Sequence, residues 1–361
     1  MQRAVCFDDV LLVPQYSEIE TRTAVDLSVP GFDETFARLT TAHDFLRSPV
    51  VGSPMDTVVG PESAAILARA GGFGVIHRYC SIEESVEMFL STTQQLSETQ
   101  SLPNVMVAVG ATGDYAERAS ALFSAGCRAF CIDVAHGHHA HTRKAIEALR
   151  KSYGDSIHIM TGNVATLEAF NDIADWGADS IRVGIGGGSM CTTRIRTGHG
   201  IPTLQSVIDC AKSDRDVFIV ADGGIRNSGD AVKALAAGAD MVMLGSILAG
   251  HDESPGEIVD KRGFPHSPRW KSGIPLFKKF RGMASREAQL EWRGKVSVTE
   301  GESSLAPYRG PLQNTLLELS DGVKSGLSYS GARTIRELRS KARFVSVSSN
   351  AVKENGPHGK I

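Results

Sequence analysis

The sequence predicts an α/β protein in which eight parallel strands and their connecting helices close into a (β/α)8 barrel, the TIM-barrel class. One pattern recurs over residues 48–250: a helical stretch, an Ala-Gly or Gly-Ala corner, a short apolar run, and a polar or glycine-bearing loop. Glycine at such a corner supplies the left-handed conformation that ends a helix and turns the chain into a strand. Short apolar strands that alternate with helices indicate a parallel sheet covered on its outside, for which a doubly wound sheet is the alternative architecture.

Eight apolar runs are the predicted barrel strands. They span residues 49–52, 73–77, 105–109, 129–133, 157–161, 180–183, 217–222 and 241–245. Loops that follow the strands of a barrel build its C-terminal face, so functional groups are expected directly after these runs. Polar or glycine-bearing segments do follow most of them, at 53–57, 77–79, 133–138, 162–163, 184–194, 222–226 and 245–246.

The length of the chain, 361 residues, suits a single barrel domain over residues 1–361 with its core at about 48–250. Beyond Gly250 the repeated pattern stops, and Pro, Gly and charged residues become frequent. This change predicts an inserted C-terminal lid segment at about 252–311. A C-terminal segment with two helical stretches is expected at 312–349, and a disordered tail at 350–361.

The charge balance argues against a nucleic-acid partner. The chain has 38 Lys and Arg against 41 Asp and Glu, a net charge of −3, so it lacks the basic excess that binding to phosphate backbones needs. The sequence shows neither a run of about 18 apolar residues nor an apolar signal segment, which predicts a cytoplasmic protein without a membrane partner. Its six cysteines are scattered without paired Cys-x-x-Cys units, so Cys191 is expected to be a free thiol rather than a zinc ligand.

The most informative stretch is the loop over residues 184–194, which follows the sixth predicted strand. Four of its first five residues are glycine, and it continues through Cys191 to Arg194. Glycine adopts backbone conformations closed to other residues, so this loop can direct its amides and carbonyls at a ligand or an ion. A cysteine held there could be a nucleophile. The alternative is an ordinary loop with a cysteine that serves as a small buried hydrophobic residue.

Two further glycine-bearing turns follow the seventh and eighth predicted strands. Gly223-Gly224 and Gly245-Ser246 lie where barrels commonly bind phosphate through backbone amides at helix starts. A turn of this kind, taken singly, is more often just a tight turn. They are therefore the candidate phosphate site.

Several segments of the chain match one known family in order and context. They are residues 7–12, Gly184-Ile185-Gly186, Gly188-Ser189, and the run from Cys191 to Arg194. On these segments the chain resembles the family that contains inosine monophosphate dehydrogenase and guanosine monophosphate reductase, over nearly its whole length to about Val345. Gly187 stands where the family usually has proline. The resemblance implies a (β/α)8 barrel, GMP and IMP as small-molecule ligands, and a homotetramer.

The resemblance also implies a role for each part of the site. Cys191 would attack carbon 2 of the purine to give a covalent thioimidate, with Thr193 and Glu300 handling protons. The implied nucleotide-binding residues are Ser189, Asp222, Gly223, Gly224, Gly245, Ser246, Gly282, Met283, Ala284 and Gly301. The implied cofactor-binding residues are Thr21, Arg22, Arg78, Asp133, Val134, Ala135, Ile185, Gly186, Ser325 and Gly326. Potassium is expected at Gly186, Gly188, Cys191 and Arg194, since carbonyl oxygens can replace its hydration shell.

Ordinary alternatives exist for two of these residues, because Asp222 could be a turn residue and Glu300 a solvated charge.

The choice between the reductase and the dehydrogenase rests on two segments, the connection between the second and third predicted strands and the lid. Only residues 81–104 separate the second predicted strand from the third, where dehydrogenases usually carry regulatory modules. The lid over 282–300 is short and lacks the Arg-Tyr pair that activates water in dehydrogenases, and Glu291-Trp292-Arg293 and Thr299-Glu300-Gly301 look more like the reductase.

Other segments favour the dehydrogenase, since residues 133–138 and Gly245-Ser246 resemble its bacterial members. On balance, we expect NADPH-dependent reductive deamination of GMP to IMP and ammonia through a thioimidate on Cys191. One alternative is an IMP dehydrogenase without the regulatory insertion, which would oxidise IMP to XMP with NAD. A remoter alternative is a non-catalytic nucleotide-binding barrel.

Overall fold

A computed structural model describes residues 3–32, 46–97, 105–265 and 273–355. Its strands in chain order are β1 (Val10–Leu12), β2 (Val50–Gly52), β3 (Phe73–Ile76), β4 (Val105–Val109), β5 (Ala129–Asp133), β6 (His158–Val164), β7 (Ser180–Val183), β8 (Phe218–Asp222), β9 (Met241–Leu244), β10 (Ile258–Val259), β11 (Phe277–Arg281), β12 (Ser303–Pro307) and β13 (Phe344–Ser346). Strands β2 to β9 pair in parallel with their sequence neighbours, and β2 pairs with β9 to close the barrel. The predicted (β/α)8 TIM barrel is confirmed, and the doubly wound alternative is wrong.

Helices cover the outside of the barrel between successive strands. The α-helices in the described part of the chain are α1 (Pro61–Arg69), α2 (Ile82–Ser97), α3 (Tyr115–Ser124), α4 (Ala140–Tyr153), α5 (Leu167–Asp175), α6 (Thr193–Thr197), α7 (Thr203–Cys210), α8 (Ser228–Ala236), α9 (Arg286–Arg293), α10 (Leu312–Tyr329) and α11 (Ile335–Lys341). The predicted glycine corners stand where α1, α3, α5 and α8 end. Gly71, Gly126, Gly177 and Gly238 have φ angles of 83°, 103°, 106° and 120°, which favour glycine over any other residue.

The core lies inside the barrel and between the barrel and its helices. All five residues of β4 are buried, as expected for a parallel strand that is covered on both faces. Two polar side chains in this region are paired: His158 Nε2 lies 2.8 Å from Ser180 Oγ on the neighbouring strand. Burial lowers the pKa of His158 to about 4, because the charged imidazolium would lose its hydration there.

Strand β6 differs from its prediction in a way that matters for the site. The sequence predicts a strand at 157–161 followed by a loop, but β6 continues to Val164, which pairs with Val183 of β7 after a register shift. The extension arises because the apolar Val164 is fully buried beside β7. Asn163 consequently belongs to the end of a barrel strand rather than to a loop.

The predicted lid contains regular structure. Strands β10, β11 and β12 form an antiparallel sheet, and α9 lies between β11 and β12 in the chain. Residues 266–272 of the predicted lid lie outside the described residues. The lid is therefore a small sheet and helix attached to the C-terminal end of the barrel sequence.

The two ends of the chain meet, because β1 pairs with β13 in antiparallel fashion. In the predicted disordered tail at 350–361, Ala351–Asn355 form a short 3-10 helix, and residues 356–361 lie outside the described part. Within the ranges that the structure describes, the helices are all too short or too polar to cross a lipid bilayer.

Candidate active site

The cysteine loop leaves the C-terminal end of β7 and lies directly against the turn that follows β8. Gly184 has a φ angle of 148°, and a Cβ atom there would lie 1.9 Å from the carbonyl oxygen of Asp222. A Cβ atom on Gly223 would likewise lie 2.9 Å from the amide nitrogen of Gly188. Glycine is therefore needed at both positions so that the two backbones can approach each other.

The lid holds the cysteine loop from the other side. The backbone N–H of Thr192 donates to the carbonyl oxygen of Glu300 at 2.8 Å, and that of Glu302 donates to the carbonyl oxygen of Met190 at 2.9 Å. These contacts make Cys191 and Gly301 an antiparallel bridge. The nucleophile candidate is thereby fixed between a barrel loop and the returning strand of the lid.

A hydrogen-bonded path leads from the thiol of Cys191 to a carboxylate. Cys191 Sγ donates to Thr193 Oγ1 at 3.2 Å, and Thr193 Oγ1 donates to Glu300 Oε2 at 2.8 Å. All three residues are half-buried, so the path lies at the edge of solvent. A carboxylate at its end can accept a proton that originates on sulfur, which is the arrangement that an activated thiol nucleophile needs.

A buried ion-pair network lies beside the cysteine loop. Arg182 Nη1 donates to Asp133 Oδ1 at 2.6 Å, and Arg182 Nη2 donates to Asp222 Oδ2 at 2.9 Å. Burial acts to lower the pKa of Arg182, but the carboxylates of Asp222 and Asp133 outweigh it and hold that pKa well above its usual value. The guanidinium therefore stays charged and joins the ends of β5 and β8.

Asn163 completes this network. Its Nδ2 donates to Asp222 Oδ2 at 2.7 Å and to the carbonyl oxygen of Gly184 at 2.8 Å. All hydrogen bonds between described side chains and the Asp222 carboxylate use Oδ2, so Oδ1 is open to a ligand hydroxyl group. Asp222 is thus a fixed hydrogen-bond acceptor rather than a turn residue.

Arg182 and Asn163 are functional candidates that the sequence reasoning missed. A lone arginine within the otherwise apolar run 180–183 was the available signal for the first, because an unpaired charge inside a barrel is costly. Asn163 was recognised as following a strand but received no role. Other lining residues for which no individual role was predicted include Ser53, Pro54 and Met55 from the loop after β2 and Phe280 from the lid.

These elements enclose a cleft of about 260 Å³ at the C-terminal face of the barrel. Every residue predicted for catalysis or nucleotide binding lines it: Cys191, Thr193, Glu300, Ser189, Asp222, Gly223, Gly224, Gly245, Ser246, Gly282, Met283, Ala284 and Gly301. Gly223 and Gly224 have φ angles of 91° and 80°, so their turn adopts left-handed conformations next to the glycines of the cysteine loop. Such consecutive glycines can direct backbone N–H groups at an anion.

The predicted cofactor residues fall into two groups. Arg78, Asp133, Val134, Ala135, Ile185 and Gly186 line the cleft. The Asp133 carboxylate pairs there with Arg182, and a cofactor role for these six residues stays a prediction.

The other four cofactor candidates do not line the cleft in this chain. Exposed Thr21 and Arg22 begin a short 3-10 helix that packs against α10, the helix that carries Ser325 and Gly326. A Cβ atom on Gly326 would lie 2.5 Å from Val232, so this glycine allows α10 to approach α8 closely. A cofactor role for these four residues stays a prediction.

The four predicted potassium residues are close in the chain, but only three of them line the cleft. Gly186, Gly188 and Cys191 belong to one loop, and the carbonyl oxygen of Gly188 accepts the N–H of Cys191 at 3.1 Å. The side chain of Arg194 crosses Gly186 and donates to the carbonyl oxygen of Ile201 at 3.0 Å. His, Cys, Asp and Glu side chains form no metal-ligand group of three or more within the described ranges. The potassium site stays a prediction.

The lid is anchored to the barrel by ionic and aromatic contacts. Arg281 pairs with Asp56 at 2.5 Å and with Glu291 of α9 at 2.5 Å. Burial opposes the charge on Arg281, but these two carboxylates raise its pKa above the usual range. Trp292 packs edge-on against Tyr79 with ring centroids 5.0 Å apart. Burial raises the pKa of Tyr79 to about 12, so its hydroxyl stays protonated at neutral pH.

The fold and the site together define a (β/α)8-barrel protein in which a thiol, a carboxylate linked to it through a threonine hydroxyl, and glycine-rich turns share one cleft. A family model described as "IMP dehydrogenase / GMP reductase domain" matches residues 4–358. The chain is 35% identical over 361 residues to a GMP reductase of Aeromonas salmonicida (strain A449), covering 98% of this chain and 97% of that protein.

The chain is also similar to an inosine-5'-monophosphate dehydrogenase and to a solved structure. The chain is 34% identical over 407 residues to an inosine-5'-monophosphate dehydrogenase of Borreliella burgdorferi, covering 99% and 97% of the two proteins. It superposes with a TM-score of 0.87 and 26% identity on a cysteine-to-alanine variant of a Trypanosoma brucei GMP reductase in complex with guanosine 5'-monophosphate, covering 100% and 99% of the two chains. The chain therefore belongs to the IMP dehydrogenase / GMP reductase family, whose members are oxidoreductases of purine metabolism that use a nicotinamide cofactor.

Proposed function

We propose that this protein is a GMP reductase, which converts GMP to IMP and ammonia with NADPH as the reductant. The observation that carries the proposal is the path from Cys191 through Thr193 to Glu300. In this path the Glu300 carboxylate is one hydroxyl group away from the proposed nucleophile, so proton transfer needs no Arg-Tyr pair. The nicotinamide cofactor supplies the hydride when it is bound.

Cys191 acts as the nucleophile at carbon 2 of the guanine ring. The thiol proton moves through the Thr193 hydroxyl to Glu300 as the carbon–sulfur bond forms. The C2–N bond then breaks, and the amino group leaves as ammonia with the proton that Glu300 returns through Thr193. The product is a thioimidate between Cys191 and the purine. After carbon 2 has gained hydride, the carbon–sulfur bond breaks and IMP leaves, and the Cys191 thiolate takes a proton from solvent to restore the thiol.

The remaining cleft residues hold the nucleotide. Asp222, fixed by Arg182 and Asn163, presents Oδ1 to a ribose hydroxyl. The backbone N–H groups of Gly223, Gly224 and Ser246, with the hydroxyl of Ser189, are the proposed ligands of the phosphate. Met283 and Ala284 of the lid line the same cleft and are proposed to contact the base.

The lid supports the reductase over the dehydrogenase. Oxidation of IMP needs a water molecule and a base after hydride transfer, and residues 282–300 contain no tyrosine that could form an Arg-Tyr pair. Glu300 already contacts Thr193, and Trp292 of α9 already packs on Tyr79. A lid held in this way suits a reaction in which the cofactor stays in place between ammonia release and hydride transfer.

The dehydrogenase remains the second candidate, because the Borreliella relative is as similar as the reductases and residues 133–138 resemble that branch. The deciding experiment compares GMP plus NADPH with IMP plus NAD, followed by absorbance at the nicotinamide band and by an ammonia assay. We expect GMP-dependent oxidation of NADPH with one ammonia released for each IMP formed, and a higher kcat/KM for NADPH than for NADH. Faster formation of XMP from IMP and NAD would establish the dehydrogenase instead.

A further inference from the structure

A buried amide on the lid helix takes no part in the chemistry proposed above. Gln289 of α9 is only 4% exposed, whereas its neighbour Leu290 is 45% exposed. Glutamine is rarely buried unless all of its polar atoms find partners. The partners of Gln289 therefore indicate what the side chain holds in place.

Gln289 makes four hydrogen bonds, which use the full capacity of its amide. Its Nε2 donates to the carbonyl oxygens of Ala284 at 3.0 Å and Val298 at 3.1 Å. Its Oε1 accepts from the backbone N–H of Ser297 at 2.8 Å and from the Ser297 hydroxyl at 3.0 Å. Two acceptors face the nitrogen and two donors face the oxygen, so only one orientation of the amide satisfies the network.

These bonds hold the segment over residues 295–299, called the 295–299 return below, which leads from α9 back to the active site. Residues 294–298 are exposed, so they gain little from burial. Within the described chain, the hydrogen bonds of residues 295–299 all go to Gln289. The next residue is Glu300, whose N–H donates to the carbonyl oxygen of Ala284 at 3.2 Å, the same oxygen that accepts from Gln289. Gln289 thus bonds both to Ala284, which precedes α9, and to the 295–299 return, which precedes Glu300.

We propose that Gln289 is a positioning residue that holds the 295–299 return so that Glu300 Oε2 stays within hydrogen-bond distance of Thr193. Without its four bonds, the exposed return gains conformational freedom, and the fraction of molecules with Glu300 against Thr193 falls. The kinetic part of this inference rests on the proposed reductase function, whereas the structural part does not.

The direct test replaces Gln289 by methionine, which keeps the length of the side chain and removes its hydrogen bonds. Leu290→Met is the matched control on the exposed side of the same helix. We expect Gln289→Met to lower kcat for GMP by about 10- to 100-fold, the cost of displacing a reacting group by roughly 1 Å. The KM for GMP should change little, and deuterium uptake by residues 294–301 should rise. Unchanged uptake in Gln289→Met would overturn the proposal.

A double-mutant cycle separates positioning of Glu300 from general loosening of the lid. In a Glu300→Gln background, Gln289→Met should cause little further loss of kcat, because both changes disable the same group. An equal loss in both backgrounds would contradict the proposal. If Gln289→Met folds poorly, Ser297→Ala removes one of the four bonds and should give a smaller change in the same direction.

The reactivity of Cys191 gives a readout without turnover. The rate of Cys191 alkylation by iodoacetamide at neutral pH, located by mass spectrometry, should change in the same direction in Gln289→Met as in Glu300→Gln, with Leu290→Met unchanged. A native alkylation rate in Gln289→Met would count against the proposal. A protein that oxidises IMP and does not reduce GMP would overturn the reductase assignment and leave the uptake and alkylation results valid.

Discussion

Thr193 Oγ1 donates to Glu300 Oε2 at 2.8 Å, although 107 positions separate the two residues in the sequence. Thr193 is the first residue of α6, directly after the cysteine loop, and Glu300 directly follows the 295–299 return of the lid. The contact therefore exists only when the lid is seated on the barrel. Under the proposed mechanism, the position of the lid is therefore a condition for proton transfer at Cys191.

Glu300→Gln keeps the shape of this contact and removes the proton acceptor. We expect kcat for ammonia release to fall by about 10²- to 10⁴-fold, the usual contribution of a general acid or base, because the leaving amine loses its proton source. The Kd for GMP, measured by calorimetry, should change much less. Glu302→Gln is the matched control, since Glu302 is exposed two residues further along. Equal losses in the two variants would show that Glu300 has no special role.

Cys191→Ala should abolish turnover and leave GMP binding largely intact, because the attack is lost while the phosphate and ribose contacts remain. Single-turnover assays with mass spectrometry should find the nucleotide adduct on Cys191 in the native protein and none in the variant. Cys6→Ala, a half-buried cysteine near the start of the chain, should behave like the native protein. An adduct on any other cysteine would contradict the mechanism.

Arg182→Met should be strongly destabilising, because it leaves the partly buried carboxylate of Asp222 without its cation and that of Asp133 with only the more distant Arg78 at 3.7 Å. We expect a loss of about 3–5 kcal/mol in the free energy of unfolding at pH 7, measured with urea. Arg215→Met, at an exposed ion pair, should barely change stability.

His158 should make the protein sensitive to acid. Its folded-state pKa, about 4, lies below the ordinary value of 6.5, so the unfolded chain binds a proton more readily. The stabilisation is present above pH 6.5 and is lost as the pH falls, which amounts to about 3 kcal/mol at pH 4. His158→Gln should flatten the dependence of unfolding free energy on pH between 6.5 and 4, and exposed His199→Gln should not. An equally steep dependence in His158→Gln would assign the acid sensitivity to other groups.

The barrel could be predicted because its signals are local. Glycine at positions such as 71 and 238 ends a helix through a conformation that other residues avoid, and the apolar runs that follow are short enough to be strands. The same local reasoning located Cys191 on its glycine-rich loop. By contrast, the contacts of Cys191 with Thr193 and Glu300 were expected from the family resemblance rather than from any pattern in the sequence.

The parts that escaped prediction depend on contacts between distant segments. Arg182 is recognisable as a site residue only once β5 and β8 bring Asp133 and Asp222 to either side of it. Asn163 was assigned to a loop because the pairing of Val164 with β7 has no signal in the adjacent residues. Gln289 looks like an ordinary polar residue on a lid helix until the 295–299 return folds back over it.

The pairing of β1 with β13 determines the order in which parts of the active site can form during synthesis. Phe7, just before β1, contacts the Gly224 turn, and Lys233 Nζ donates to the carbonyl oxygen of Phe7 at 2.9 Å. Strand β1 can pair only after Phe344–Ser346 have been synthesised, which is later than every strand of the barrel. A nascent chain can form its barrel strands earlier, but β1 stays unpaired until β13 is available. The turn proposed to bind phosphate therefore gains the support of a paired β1 only after the whole barrel has been made.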